Sequence, residues 1–368
     1  MSRARCTGSA ALILMCGLAA CEPTHSSAVL DPVPLPAAQS ALAQSFGRIA
    51  GVASLDDSLG VLVDRDAKAI VEINWESGAL TPTGHEGSGP GEFQALDVPL
   101  PGAPGSVLML DRRQRRVIGF DGASWSNIAD LRELPLGIFL HGGDRNGNLY
   151  FEYRPISHEG GGTTYSDSSL ILRLAASGRL DTVARLLAPK QVIHVSRRTN
   201  ANGDVNVNSM AFEAPYSLRD VWAVNPDGGV TILRSNPVRL DRINDDSVVH
   251  VSIIGLPVVP VLERDKSDSL IPVPKEELPP WPEVLPPFVG TARLCGPRHQ
   301  LIVRRAGHVG DSTETWLRLA PDNPKPAAFT IPAAERVVGC DDGWLYTARP
   351  DSNEMEVVVR YGTGGMDR

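Results

Sequence analysis

The segments "VLVDRDAKAIVEIN" (Val61 to Asn74) and "LMLDRRQRRVIGFD" (Leu108 to Asp121) are two copies of one pattern. Asp64 and Asp111 stand 47 residues apart, and so do Ile70 and Val117, Ile73 and Phe120, and Asn74 and Asp121. Each copy reads as an apolar strand, an acidic residue that opens a turn, and a second, alternating strand, with a glycine after it (Gly78, Gly122). A hairpin recurring at this period marks an array of sheets that stack to share a core.

Weaker copies follow: "DRNGNLYFEYR" from Asp144 with "LILRLAASGRL" from Leu170, "WAVNPDGGVTIL" from Trp222, "RLCGPRHQLIVRR" from Arg293, and "VVGCDDGWLYTARP" from Val337 with "EMEVVVRY" from Glu354. Their turns use Asn-Gly, Asp-Gly or Gly-Pro, as tight strand connections require. Long amphipathic helices are missing from the pattern. About six units of three or four short strands predict an all-β, six-bladed propeller, whose radial repetition leaves only short, protected edges.

The stretch "GHEGSGPGEF" (Gly84 to Phe93) falls between the last strand of unit one and the first of unit two. Its glycines suit a sharp crossing between blades, and Phe93 suits the wedge between them. A phosphate loop needs a Lys and a Ser/Thr opening a helix; Glu92, Phe93 and Gln94 stand there instead. Together with "DRRQRRVIGFDG", this stretch resembles the NHL-type six-bladed propeller. "VWAVNPDGG", "LPPF" and the terminal "GWLYTARPDSNEMEVVVRY" are similar in order to six-bladed propeller lipoproteins of bacteria. The resemblance spans about residues 28 to 363 and implies a fold and an address; that group shares no catalytic motif.

The chain opens "MSRARCTGSAALILMCGLAAC". A basic start precedes an apolar run too short to span a ~30 Å hydrocarbon core, which fits an export signal. "LAAC", Leu18 to Cys21, resembles the bacterial lipobox, which implies cleavage before Cys21 and a lipid on its thiol. Glu22 follows rather than an Asp of the inner-membrane retention type, so the expected address is the bacterial cell envelope, on the outer membrane facing the periplasm. The expected organisation is a signal peptide over 1–20, a tether over 21–27, a single propeller domain over 28–363 and a tail over 364–368. The last unit shows only three strands, so the N-terminal part, around Ala28 to Leu35, is expected to supply the closing strand and cover an open edge.

The formal net charge is −8, with 35 basic against 43 acidic residues. An acidic chain repels phosphate backbones, so no nucleic-acid partner is expected. The expected partners are the membrane, through Cys21, and an unidentified protein or small molecule on a propeller face. No cofactor motif is present. No G-x-S-x-G occurs, and the eight histidines lack zinc spacing. "DRNGN" from Asp144 lacks the glycine and glutamate an EF-hand needs later in the loop, and reads as a β-turn.

Asp64, Asp111 and Glu152 end equivalent strands. Gluconolactonase-type propellers hold a cation with such groups, so these three carboxylates form a candidate calcium site for a lactonase-like or esterase-like hydrolase. The alternative is turn capping and pairing, for example of Asp111 with Arg116. Arg112, Arg113, Arg115 and Arg116 read as a solvated turn. "PPWPEVLPPF" (Pro279 to Phe288) reads as an ordered crossover anchored by Trp281 and Phe288. Cys295 and Cys340 occupy equivalent places in adjacent units. Export permits a disulfide between them; two buried thiols are the alternative if neighbouring blades hold them beyond the ~7 Å Cα limit. The leading functional expectation is a non-catalytic binding or scaffold module. Its partner face is expected to carry the Gly84 to Phe93 loop and the insert "HEGGGTTYSDSS" (His158 to Ser169).

Overall fold

The computed structural model describes residues 30–364 except 90, 160–161, 200–201, 203–204, 245–246, 253–254, 267–272, 297 and 321–322. The expected signal peptide, Cys21 and the expected tether lie outside the described residues. Among the described residues, no helix is long and apolar enough to cross a membrane.

Six antiparallel sheets follow one another along the chain. Blade I runs Ile49–Ser54, Leu59–Asp64, Ala69–Asn74 and Leu80–Glu86. Blade II runs Leu100–Pro101, Val107–Asp111, Arg116–Phe120 and Trp125–Asp130. Blade III runs Ile138–Gly143, Leu149–Tyr153, Ser168–Leu174 and Leu180–Leu187, and blade IV Val221–Val224, Val230–Ser235, Val238–Asn244 and Ser247–Ser252. Blade V runs Val289–Cys295, Gln300–Arg304, Thr313–Ala320 and Asn323–Pro332; blade VI has Arg336–Cys340, Trp344–Pro350 and Glu356–Gly362. The first strand of each blade touches the first strands of its two neighbours, VI against I included, so the inner strands close a ring. The protein is a six-bladed β-propeller.

Closure comes from the N-terminal part, but not from the expected stretch. Ser40–Ala41 pairs antiparallel with Arg360 and Val359 as the outer strand of blade VI. The backbone continues the ladder through Leu42, whose N–H reaches Val358 O at 3.0 Å, and Phe46, bridged to Glu356. Val33–Pro34, inside the segment nominated from sequence, instead adds a parallel strand to the outside of blade V. Pro34 cannot donate to a ladder, and an outermost strand tolerates it. The seam between blades VI and I is tight: a Cβ added at Gly339 would lie 1.9 Å from Val52 O.

Side chains from adjacent blades interlock as separate apolar layers. Phe93, 3% exposed, packs with Val61, Val63 and Ile70 of blade I and Val107, Met109 and Ile118 of blade II. It fills the wedge between those blades, and the glycine stretch positions it. Glu92–Phe93 runs parallel to His85–Glu86. Gly84 sits where a Cβ would meet Gly91 O at 3.0 Å, and Gly91 itself has φ +73°. Bulkier residues here would push the loop off blade I.

Repetition extends to hydrogen bonds. Asp64 accepts the N–H groups of Arg48, Asp66 and Ala67 on Oδ1 and that of Gly47 on Oδ2. Asp111 accepts those of Ala95, Arg113 and Gln114 on Oδ1 and that of Gln94 on Oδ2. Every donor in the second set lies 47 residues after its counterpart. Each aspartate thus binds its own turn to the chain segment that enters the blade, satisfying otherwise orphaned backbone donors.

Candidate functional site

In an antiparallel blade the first-to-second and third-to-fourth strand turns lie at one end. The second-to-third turns and the connections between blades lie at the other. On the first face no connection exceeds five residues. All long connections fall on the second face: 87–99 between blades I and II, and three further inserts on blades III to V. The 154–167 insert carries the hairpin Ile156–Glu159/Gly162–Tyr165. The III-to-IV connection carries the long hairpin Gln191–Thr199/Val205–Glu213. The IV-to-V connection is a strap over 253–288, with short 3-10 turns at Glu263–Asp265 and Lys275–Glu277.

These inserts are tied to one another. Arg154 donates to Ser166 O and Pro189 O, bracing the first insert against the second. His194 on the hairpin meets Glu277 on the strap at 2.9 Å. Asp265 of the strap is fully buried and accepts from the N–H groups of Leu262 and Val309 and from His308 Nδ1 at 2.8 Å. Burial pushes the Asp265 carboxyl up, but the Leu262 N–H, His308 and the Val309 N–H outweigh it and hold it below its ordinary value. Arg305 donates to Pro257 O and Arg264 pairs with Asp311. As the sequence indicated, the proline segment is an ordered crossover: Phe288 is buried between blades IV and V, and the Trp281 ring lies 5.9 Å from that of Tyr216.

A pocket of about 550 Å³ opens where the hairpin, the chain entering blade IV and the first strand of blade V meet. Phe212, Pro215 and Tyr216 give it an apolar wall, and Arg219 and Arg304 stand at its polar side. Those cations are balanced, Arg219 by Glu213 and Arg304 by Glu314. Tyr216 is held with φ +53°, and its hydroxyl donates to Asp265 O at 3.0 Å. Burial, and after it the Asp265 charge, pushes that phenol up, so it stays protonated and remains a donor. The inserts also carry exposed apolar residues: Ile193, Val195 and Met210 on the hairpin, and Val258 and Val284 on the strap.

A second group lies between blades III and IV. His141, on the inner strand of blade III, stacks on Trp222, on the inner strand of blade IV, at 4.2 Å. Glu152 accepts from Ser169 Oγ at 2.7 Å and Trp222 Nε1 at 3.0 Å, with His141 Nε2 at 3.5 Å from the same carboxylate. Burial drives His141 down from its ordinary value; Glu152 opposes this and Arg293 of blade V reinforces it, so the ring is neutral at pH 7.

The candidate calcium ligands are not gathered. Asp64 and Asp111 are each engaged by four backbone N–H groups, while Glu152 belongs to the His141–Trp222 group. Among the described residues there is no cluster of three or more His, Cys, Asp or Glu able to hold a metal ion. The Asp111–Arg116 pair is not formed either, because Arg116 donates to Glu92 O at 2.7 Å instead. Arg115 donates to Leu131 O and Leu134 O, and Arg112 pairs with Asp97. Asp144 accepts the N–H groups of Asn146 and Asn148 and closes a turn. Cys295 and Cys340 are joined in a disulfide, with their Cα atoms 5.5 Å apart. Both end inner strands, where the blades converge, so equivalent positions come within bonding reach.

No protein-family model matches the sequence, and no curated protein does. Solved structures are similar in fold. A Bacteroides fragilis protein designated as exported has 12% identity, TM-score 0.46, and coverage of 90% of this chain and 94% of its own. The Agrobacterium tumefaciens calcium-binding protein regucalcin has 11% identity, TM-score 0.44, and coverage of 90% and 97%. A Staphylococcus aureus virginiamycin B lyase has 14% identity, TM-score 0.41, and coverage of 87% and 97%.

Proposed function

We propose that the protein is an envelope lipoprotein of the NHL-like propeller type, held to the outer membrane by a lipid on Cys21, and that its propeller is a non-catalytic binding module. Its ligand docks on the insert-bearing face of blades III to V. The observation that carries this reading is the 550 Å³ pocket set among the three long inserts. Its volume falls in the ~300–1,000 Å³ range of small-molecule sites, and its apolar wall with a few polar groups has the composition of such sites. Long loops on a rigid scaffold are where recognition concentrates. The competing reading, a calcium-dependent hydrolase using Asp64, Asp111 and Glu152, asks carboxylates already committed to backbone and side-chain donors to surrender them.

The test combines two measurements on protein extracted from its own membranes. Native mass spectrometry is expected to show a bound mass that is lost in Tyr216→Ala. Metal content and lactone or ester turnover, measured before and after chelation, are expected to show no chelator-sensitive activity. Stoichiometric calcium with turnover abolished by Asp64→Ala or Asp111→Ala would replace the binding role with the hydrolase.

A further inference from the structure

Among the described residues, the strap over 253–288 is fastened to the rest of the insert-bearing face by two imidazole–carboxylate pairs. His308, in the turn between the second and third strands of blade V, places Nδ1 2.8 Å from Asp265 Oδ2. His194, on the hairpin opposite the uncharged Met210, places Nδ1 2.9 Å from Glu277 Oε2. The two pairs differ in burial. Asp265 is fully buried and the His308 side chain is 19% exposed, whereas the Glu277 side chain is 42% exposed. Water screens the second pair, so the first decides how firmly the strap is held. Asp265 also accepts the N–H groups of Leu262 and Val309, and amides keep their protons across neutral pH. The other charged groups around His308 are engaged elsewhere. Arg264 pairs with Asp311, whose other oxygen accepts the His308 N–H; Lys266 pairs with Glu263; Arg305 donates to Pro257 O.

We propose that His308 makes the strap a pH-dependent clasp on the pocket wall, tight when the imidazole is protonated and looser when it is not. This is a regulation of the binding pocket and rests on the binding role for its purpose. Imidazoles change charge between about pH 5 and pH 8. At the acid end an imidazolium faces the ionised Asp265, and the buried pair is neutral overall. At the alkaline end Nδ1–H still donates, but the bond has about half its charged strength. The buried carboxylate then lacks a counter-charge, which a poorly solvated site penalises. The clasp is therefore at full strength below the imidazole range and weakens as pH rises through it. The pocket feels the strap at two points. The Tyr216 hydroxyl donates to the main-chain O of Asp265 at 3.0 Å, and its ring lies 5.9 Å from that of Trp281. Tyr216 lines the pocket and is held at φ +53°. A non-glycine residue in that region persists only where its surroundings hold it. Opening the strap removes both contacts and frees the wall.

The test is hydrogen exchange of the full-length protein in detergent, read by mass spectrometry at about pH 6 and about pH 8, toward either end of the imidazole range, with the intrinsic pH dependence of exchange removed. No ligand is needed, so the clasp and the binding role can fail separately. Amides of 255–266 in the strap and of 212–219 in the pocket wall are expected to exchange about five-fold faster at the higher pH, the difference between a charged and a neutral hydrogen bond. The blade I strand Leu59–Asp64 is expected to stay unchanged. His308→Gln keeps a neutral donor toward Asp265 and is expected to show the high-pH behaviour at both values. Asp265→Asn removes the charge on the other side and is expected to abolish the pH dependence as well, which preserves the test if the glutamine variant does not fold. His194→Gln is expected to leave most of the dependence in place. Equal strap protection at both pH values in the wild type, or undiminished pH dependence in His308→Gln, overturns the clasp. A strap that responds while 212–219 does not overturns its coupling to the pocket. Loss of the dependence in His194→Gln alone overturns the assignment to His308.

Discussion

Replacing Asp111 by alanine should destabilise the propeller without touching any apolar core residue. Oδ1 accepts three N–H groups, from Ala95, Arg113 and Gln114, each at 3.2 Å, and Oδ2 accepts that of Gln94 at 3.0 Å. The carboxylate is fully buried. An orphaned buried donor costs about 1–3 kcal/mol, and water entering the vacated space recovers part of it. Four donors therefore put the loss at about 3–5 kcal/mol, the range of broken buried networks. Asp111→Asn leaves one acceptor oxygen, which can serve the three Oδ1 donors, and confronts Gln94 N–H with an amide donor; its cost should be about 1–2 kcal/mol. Urea denaturation followed by circular dichroism measures both, with the slope unchanged if only stability moves. Asp64→Ala should match Asp111→Ala, because the same bonds recur 47 residues earlier. A loss below about 0.5 kcal/mol for Asp111→Ala, or a loss that vanishes in chelator, would refute the reasoning.

Other expectations follow from packing, covalent and charge features. Phe93→Ala should cost about 3–5 kcal/mol, measured by the same titration, because it empties the wedge between blades I and II. Gly339→Ala should cost about 1–3 kcal/mol or more, since a Cβ there meets Val52 O and forces the closing seam apart. Removing the Cys295–Cys340 bridge, which spans 45 residues, should cost about 2–4 kcal/mol in non-reducing denaturation. Burial pushes Asp241 up, but Arg239, Arg234 and His250 outweigh it and hold the carboxyl at about 2. A depressed folded value means that this contribution is complete above the unfolded value, ~4, and is lost as pH falls toward 2. The stability gap between wild type and Asp241→Asn should therefore shrink between about pH 4 and pH 2.

The parts of the fold legible in the sequence are those where one residue type repeats for one physical reason. Asp64 and Asp111 stand out because blades I and II each use a carboxylate to gather the same four N–H groups. Phe93 stands out because a wedge between blades needs a large apolar group after a glycine turn. The closing strand was misplaced because Ser40–Ala41 is two residues long, too short for any alternation to register. The long hairpin over 191–213 was missed although a signal exists: Val192 and Val195 approach, and Val205 and Val207 leave, a run containing Asn202-Gly203. It breaks the blade period, and a search for repeats passes over it.

The candidate sites were the least legible. His141, Glu152 and Trp222 are spread over some 80 residues, and only the packing of blade III on blade IV brings them together. The pocket wall of Phe212, Pro215 and Tyr216 lies in a connection without a motif. The three carboxylates nominated as calcium ligands share an end of their strands. Strand-end position alone did not reveal that two of them face the incoming backbone.

The claim that the insert-bearing face is the working surface is tested most directly by photo-crosslinking in living cells. A benzophenone amino acid would replace Ile193 and, separately, Leu218, both exposed on that face, with Ser177 in a short turn on the opposite face as the control. The account predicts that irradiation yields discrete adducts from positions 193 and 218 and none from 177, and that Tyr216→Ala removes the adduct at 218. Adducts from position 177 alone, or none from either insert position, would contradict it.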